Sequence, residues 1–453
     1  MERTALKQLI AWKNNEKRKP LILWGARQVG KTYLVRDMFA EEQYPGKYVY
    51  IDFRVESTTR SFCSNTVNAK EIIEFISASK NIKINKDTLL IFDEIQECPA
   101  IITALKYFCQ DCREIPVIAT GSMVRIRLNR LANKRGGKSE QFLFPVGKIN
   151  QLTLYPISYD EFLLNYNKVL YDHIAESYSK KQVLGEEYHK LAMDSVYKYL
   201  LIGGMPEAVE AFIETGSFYD SREILKELYD NYLSDMQLYQ ASPESIIRSR
   251  KVFEGIYKEL TKESKNFSPS LLEEKAKNRE FTTPIDWLTT AHIVNKSYQL
   301  KEHITSPLIE DNAGNFRLYL GDIGMFSYQS GINSGTFIAG DNDNTLSGVF
   351  FENFIANELI SKGIKLFYWK GKSSSELEFI VDVGGRIIPI DVKKSHGNLN
   401  SLEKFRNLNK TDIAIKVSKN NYGYNEEKKL LTIPFYYFPF VVSDISIGKE
   451  LVP

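Results

Sequence analysis

Leu21-Ile22-Leu23-Trp24-Gly25-Ala26-Arg27-Gln28-Val29-Gly30-Lys31-Thr32 decides the fold. Four apolar residues of strand length run into GxxxxGK[ST], matched at every fixed position. Leu34, Val35, Met38 and Phe39 follow on one helical face. A strand, a glycine-bearing turn and a helix in that order make a phosphate cradle. The glycines let successive backbone N–H groups curl around phosphate oxygens, and the helix N-terminus adds partial positive charge. Gly25, Ala26, Arg27, Gln28, Val29, Gly30, Lys31 and Thr32 are therefore the expected nucleotide-binding set. Within it Lys31 reaches the β- and γ-phosphates and Thr32 gives a hydroxyl to Mg²⁺.

Such a cradle needs a carboxylate element, and Leu89-Leu90-Ile91-Phe92-Asp93-Glu94 supplies it: an apolar strand ending in two acids at the sheet edge where α/β ligands bind. Asp93 is the expected Mg²⁺ residue, acting in part through water. Glu94 is the expected general base or water positioner, which points to hydrolysis. Tyr48 to Phe53 and Val117 to Ala119 are further strand-length runs, with helical patterns between the strands. The alternation predicts a parallel sheet with helical crossovers, a doubly wound α/β domain. At the end of the last strand, Ser122, with Thr120 second, is the candidate contact to the γ-phosphate or attacking water. Arg125, Arg127, Arg130, Lys134, Arg135 and Lys138 follow around Gly136-Gly137. They could hold an arginine finger, contact a phosphate backbone or form a solvated loop.

A chain of 453 residues, 43% apolar and 26% charged, has room for several domains and excludes a disordered or collagen-like chain. No apolar run approaches a membrane span and the N-terminus lacks a signal-peptide core, so a cytoplasmic location is expected. The four cysteines are too few for a disulfide framework, and Cys109 and Cys112 fall on a helical pattern, as a buried face would. The net charge of +2 hides an asymmetry. Residues 1–150 carry 25 Lys and Arg against 16 Asp and Glu, the remainder 34 against 41. A basic first part suits a polyphosphate and is compatible with nucleic acid.

From about 156 to 245 apolar positions recur at helical spacing, interrupted by the turn Gly203-Gly204-Met205-Pro206. More helices are expected to about 310, before a short polar stretch around Lys296 to Ser306. Beyond it Arg317 to Leu320, Leu366 to Trp369, Glu376 to Val381 and Ile387 to Val392 are predicted strands of a separate α+β unit.

The chain resembles a prokaryotic family of AAA-like P-loop ATPases. It does so through Gly25 to Thr32, Phe92-Asp93-Glu94-Ile95-Gln96, Thr120-Gly121-Ser122, Leu154-Tyr155-Pro156-Ile157-Ser158, Gly203 to Ala208, Leu318 to Gly324 and Ile388 to Lys393. The resemblance implies ATP as the nucleotide, a helical or winged-helix middle segment, and a C-terminal domain of unknown function related to PD-(D/E)xK nucleases. The domains expected are then 1–155, P-loop ATPase; 156–310, helical and winged-helix; and 311–453, nuclease-like. Where many relatives carry Gly-Arg ahead of the Leu-Tyr-Pro stretch, this chain has Gly147-Lys148, which keeps the charge without the planar fork.

In the C-terminal part, Glu376 to Val381, a Gly384-Gly385 turn and Ile387 to Lys393 form a predicted hairpin. Alternation places Glu376 and Glu378 on one face, and Asp391 and Lys393 on one face. Acid, acid and lysine is the set a metal-dependent nuclease uses. Glu378, Asp391 and Lys393, with Glu352 from a helical pattern, are a second candidate site. Cross-strand ion pairs are the alternative for the same residues, and nuclease activity is not expected. The functional expectation is an Mg²⁺-dependent ATPase acting as a switch on nucleic acid or a partner protein. Its rivals are a nucleotide-gated binding module with negligible turnover and an ATP-regulated nuclease.

Overall fold

The computed structural model describes residues 1–121, 144–240, 242–332, 345–371, 375–393 and 399–451. The chain divides into two units, Glu2–Tyr155 with Thr290–His292, and Pro156–Thr289 with Ile293–Pro453.

In the first unit, helix α1 (Thr4–Asn14) precedes five strands: β1 (Leu21–Gly25), β2 (Tyr48–Asp52), β3 (Leu89–Asp93), β4 (Val117–Thr120) and β5 (Asn150–Leu154). All pair in parallel, in the order β2-β3-β4-β1-β5. Helices α2 (Tyr33–Ala40), α3 (Ser57–Asn65), α4 (Ala69–Lys80) and α5 (Pro99–Asp111) cover its faces. Alternation within the apolar strands feeds two cores. Ile22 and Trp24 join Phe92, Ile72, Ile101 and Phe108 on one face, while Leu21 and Leu23 join Leu34, Val35, Phe39 and Ile91 on the other. Strands with both faces covered must be apolar throughout, as β1, β3 and β4 are. This is a P-loop-type α/β fold. Cys109 lies in α5 and Cys112 just past its end; both are buried free thiols.

The second unit begins with α6 (Tyr159–Tyr166), α7 (Lys168–Ser179), α8 (Glu186–Ile202), α9 (Pro206–Thr215), α10 (Phe218–Tyr239), α11 (Pro243–Leu260) and α12 (Asn278–Thr290). Two sheets follow among the described residues. One has the order β7-β6-β8-β9, from β6 (Val294–Leu300), β7 (Phe316–Leu320), β8 (Phe367–Lys370) and β9 (Glu376–Leu377). The other has the order β10-β11-β12-β14-β13, from β10 (Phe379–Val383), β11 (Arg386–Val392), β12 (Ala414–Ser418), β13 (Gly423–Asn425) and β14 (Leu430–Pro434). Helices α13 (Ile323–Ser330), α14 (Thr345–Ser361), α15 (Asn400–Leu408) and α16 (Phe438–Ser446) complete it.

Two expectations are corrected here. The polar stretch expected around Lys296 to Ser306 begins inside a strand, β6, which is flanked by β7 and β8 with its backbone paired on both sides. The strand expected from Glu376 to Val381 breaks at Glu378. Its first two residues pair with β8 in one sheet, and the rest pairs with β11 in the other. The Gly384-Gly385 hairpin joins β10 and β11, with Val383 opposite Arg386.

The glycine motifs of this unit meet at one backbone junction. A Cβ on Gly204 would lie 2.1 Å from the Ile157 carbonyl oxygen, and one on Gly324 would lie 2.2 Å from that of Ile202. Buried Asp322 accepts from Gly204 N at 2.7 Å and caps α13 through Met325 N at 2.9 Å. Alongside, Glu358 on α14 accepts from Tyr159 N at 2.8 Å, and its other oxygen meets no hydrogen-bond donor among the described residues.

Burial, and Asp160 beside it, push the Glu358 carboxyl up to about 8, so the folded state keeps a proton that the unfolded chain gives up. Folded protein then binds more protons than unfolded protein between the ordinary glutamate range and about pH 8. Stability of this unit should fall as pH rises through that window. Urea unfolding followed from pH 5 to 9 should show that slope, and Glu358→Gln, which keeps the acceptor for Tyr159 N, should flatten it.

Candidate functional site

Parallel pairing brings the C-terminal ends of β1, β3 and β4 to one edge of the sheet, with β4 lying between the other two. Thr120 therefore stands between the cradle that follows β1 and the acids that end β3. Gly25 ends β1 where a Cβ would lie 2.3 Å from the Leu154 carbonyl oxygen, so only glycine allows β5 to pack there. Ala26 and Val29 are buried in the core, Gln28 is exposed at φ 61° and Gly30 sits at φ 89°. The chain thus needs left-handed backbone within the turn.

Asp93 is buried and receives donors from four directions. Its Oδ2 accepts from Thr32 Oγ1 at 2.7 Å and from the Tyr50 hydroxyl at 2.7 Å. Its Oδ1 accepts from the Thr120 hydroxyl and from Glu94 N at 3.0 Å. Lys31 is buried, and its Nζ donates to the carbonyls of Gly25 at 3.1 Å and Ala26 at 2.7 Å. Burial pulls its ammonium down to about 8, against the opposing pull of Glu94 and Asp93. Glu94 sits at φ 54°, a strained conformation for a non-glycine residue. Its carboxylate is 2.9 Å from Arg54 Nη2 and accepts from the Gln96 amide. Burial raises the Glu94 carboxyl above its ordinary range and Arg54 opposes the rise.

A threonine hydroxyl touching a carboxylate is a pair of hard oxygen donors, which suits Mg²⁺. The buried ammonium beside them suits phosphate oxygens. Of the sequence-predicted residues, Gly25 to Thr32, Asp93 and Glu94 come together at this edge; Ser122 and the cations from Arg125 to Lys138 lie outside the described residues. Tyr50, Arg54 and Gln96 were not foreseen. Tyr50 and Arg54 belong to β2 and the turn after it, and only the pairing of β2 with β3 brings them to the acids.

Residues 17–163 match the AAA domain family. That stretch contains the whole cradle and both acids, and it supports an AAA-type, nucleotide-binding P-loop ATPase. Two further stretches match domains of unknown function, DUF8612 over residues 193–336 and DUF4143 over 347–436. No curated protein matches the sequence. Among solved structures, a Walker-type ATPase of Pyrococcus abyssi is similar at 15% identity and a TM-score of 0.43, over 73% of this chain and 95% of that one. AMPPCP-bound DnaA from Aquifex aeolicus is similar at 14% identity and a TM-score of 0.25, over 63% of this chain and 85% of that one. No helix among the described residues is long and apolar enough to cross a membrane.

Outside the AAA domain, the second candidate set lies in the second unit. Glu352 comes from α14, Glu378 from the break between β9 and β10, and Asp391 and Lys393 from the end of β11. Lys393 Nζ is 2.8 Å from Asp391 Oδ1 and 3.8 Å from Glu378 Oε1, while Glu378 Oε2 accepts from Val392 N at 3.2 Å. Glu352 pairs with Lys265, a residue the sequence did not single out. The break in the strand takes Glu376 to a different partner, the fully buried Arg317, at 2.6 Å. Burial and the neighbouring Glu378 push the Asp391 carboxyl up to about 7. Each acid meets an amine, a guanidinium or a backbone donor through one oxygen, while Glu352 Oε2 and Asp391 Oδ2 are buried with no hydrogen-bond partner among the described residues. Among the described residues no three His, Cys, Asp or Glu are arranged to hold a metal ion.

Removing one cation from such a cluster leaves a buried carboxylate unpaired. Lys265→Met should therefore cost about 3–5 kcal/mol in this unit, read as a lower urea midpoint, whereas added EDTA should leave the wild-type midpoint unchanged.

Proposed function

We propose that the protein is an Mg²⁺-dependent ATPase that acts as a nucleotide-driven switch. The observation that carries this reading is the 2.7 Å contact of the Thr32 hydroxyl with Asp93, next to a buried Lys31 whose ammonium donates to two backbone carbonyls. Thr32 and Asp93 would hold Mg²⁺, which supplies charge neutralisation for the triphosphate. Lys31 exchanges the carbonyls of Gly25 and Ala26 for phosphate oxygens, and burial makes that exchange favourable because an anion restores the charged form. Glu94, raised above its ordinary range by burial, orients water and receives its proton. Arg54 holds its carboxylate in place and opposes premature protonation. Ser122 remains the proposed contact to the γ-phosphate.

The same geometry supports a switch. Loading Asp93 competes with hydrogen bonds from Thr32, Tyr50 and Thr120, which belong to the cradle, β2 and β4. Nucleotide state would thereby be coupled to the cradle, β2 and β4. The helices α11 and α12 followed by the antiparallel pair β6–β7 support a winged-helix reading of the middle region, and with it a nucleic-acid or protein partner. A second reading, nucleotide binding with negligible turnover, is favoured by the fully hydrogen-bonded state of Asp93. Glu352, Glu378, Asp391 and Lys393 act in this proposal as an ionic lock between elements rather than as a nuclease.

Lys31→Ala should abolish ATP binding measured by calorimetry. Glu94→Gln should bind normally yet lose about 10²–10⁴ in kcat; wild-type turnover in both variants would refute the mechanism, and tight binding without turnover in the wild type would favour the binding module. Incubation of supercoiled plasmid with the protein and Mg²⁺ or Mn²⁺ should leave it intact. Nicking that disappears in Lys393→Ala would overturn the lock.

A further inference from the structure

The AAA domain carries a second basic recess on the edge of the sheet opposite the cradle. Lys13 ends α1, Arg18 lies in the turn before β1, Lys47 precedes β2 and Lys86 precedes β3, so all four cations cluster where the strands begin, whereas the cradle lies where they end. They line a cavity of about 430 Å³, within the range that holds small ligands, together with Tyr44 and one acid, Asp87. Four cations against one carboxylate give it a local charge of +3.

Two features make this more than a solvated face. The floor is ordered: Lys13 Nζ donates to the Gln43 carbonyl at 2.9 Å and lies 4.7 Å from the centroid of the Tyr44 ring. Arg18 is anchored through Nη2 to the Glu114 carbonyl at 3.0 Å, and Arg113 clamps the same turn by donating to the Lys17 carbonyl at 2.6 Å. Arg18 Nη1 donates to the Lys13 carbonyl at 3.4 Å, so two of its nitrogens are fixed while its charge has no carboxylate partner among the described residues. At the mouth, Lys47 and Lys86 are exposed and have no ion-pair partner among the described residues. Elsewhere in this domain some cations do have acid partners, as Arg54 has Glu94 and Lys80 has Glu56. Here the cations are left open. The excess of Lys and Arg over Asp and Glu in residues 1–150 has one of its concentrations here.

We propose that this recess is a phosphate-binding site separate from the nucleotide cradle, with Arg18 as its fixed floor and Lys47 and Lys86 as its rim. Phosphate fits because a compact, multiply charged oxyanion is the ligand that a recess lined by one guanidinium and three ammonium groups attracts most strongly. It has two possible sources, the backbone of a nucleic acid and a free polyphosphate. The flanking cations Lys17, Lys19 and Arg113, which continue the charge beyond the cavity, favour the backbone.

The test is Lys47→Glu/Lys86→Glu in the full chain, with Lys168→Glu/Lys226→Glu as a control of equal charge change on exposed helical positions of the second unit. ATP affinity and thermal midpoint should stay at wild-type values, since neither lysine touches the cradle or the core. Fluorescence anisotropy with a labelled mixed-sequence DNA should show affinity weakened roughly tenfold or more, and a log Kd against log salt slope shallower by about 1.5–2. Loss confined to inorganic tripolyphosphate, titrated by calorimetry in a Lys31→Ala background to exclude the cradle, would assign the site to a free polyphosphate. Unchanged affinity for both probes, or equal weakening in the control, would overturn the site.

Discussion

Asp93 is the point on which the first unit turns. Thr32, Tyr50, Thr120 and the Glu94 N–H all donate to one buried carboxylate, and they come from the cradle helix, β2, β4 and the end of β3. Hydrogen bonds to a charged acceptor contribute about 1.5–3 kcal/mol each, more than neutral ones. A buried carboxylate without them would carry a desolvation cost of several kcal/mol. The donors therefore cannot be surrendered one at a time at no cost. The site holds together as a unit, and any ligand that engages Asp93 must offer cationic or hydrogen-bonding replacements. Lys31 obeys the same constraint from the other side: a buried ammonium resting on the carbonyls of Gly25 and Ala26 is satisfied, but more weakly than it would be by phosphate.

Buried charge follows a different solution in the second unit. There, Lys265, Arg317 and Lys393 are built in among Glu352, Glu376, Glu378 and Asp391. The carboxylates there meet ammonium and guanidinium side chains, whereas Asp93 of the first unit meets hydroxyls and a backbone N–H, and Lys31 meets backbone carbonyls. Two acids and a lysine at the right spacing are thus compatible with opposite roles. What separates them is whether a further amine reaches the same place, and Lys265 does.

The glycines of the two units divide along similar lines. Gly25 and Gly30 shape a ligand cradle. Gly204 and Gly324 exist because backbone carbonyls of Ile157 and Ile202 approach to where a side chain would begin, and Asp322 fixes that approach by capping α13 and holding Gly204 N. The stretches around Ile157, Gly204 and Asp322 are distant in sequence and meet in one packing junction, so their chemistry is structural.

The local pattern of residues determined a good deal. The apolar runs ending at Trp24, Phe92 and Ala119, the cradle from Gly25 to Thr32 and the acids Asp93 and Glu94 were all legible, because burial on two faces, a glycine turn and a helix start each leave a mark within about ten residues. The break at Glu378 and the strand at Val294–Leu300 were not, since both depend on which strands lie alongside. Only the tertiary structure set Tyr50 and Arg54 beside the acids, Lys265 beside Glu352, and four cations together at the strand starts. Sequence periodicity encodes which face of an element is covered. The identity of what covers it is a property of strand order and helix packing, which arise from contacts between residues far apart in the chain.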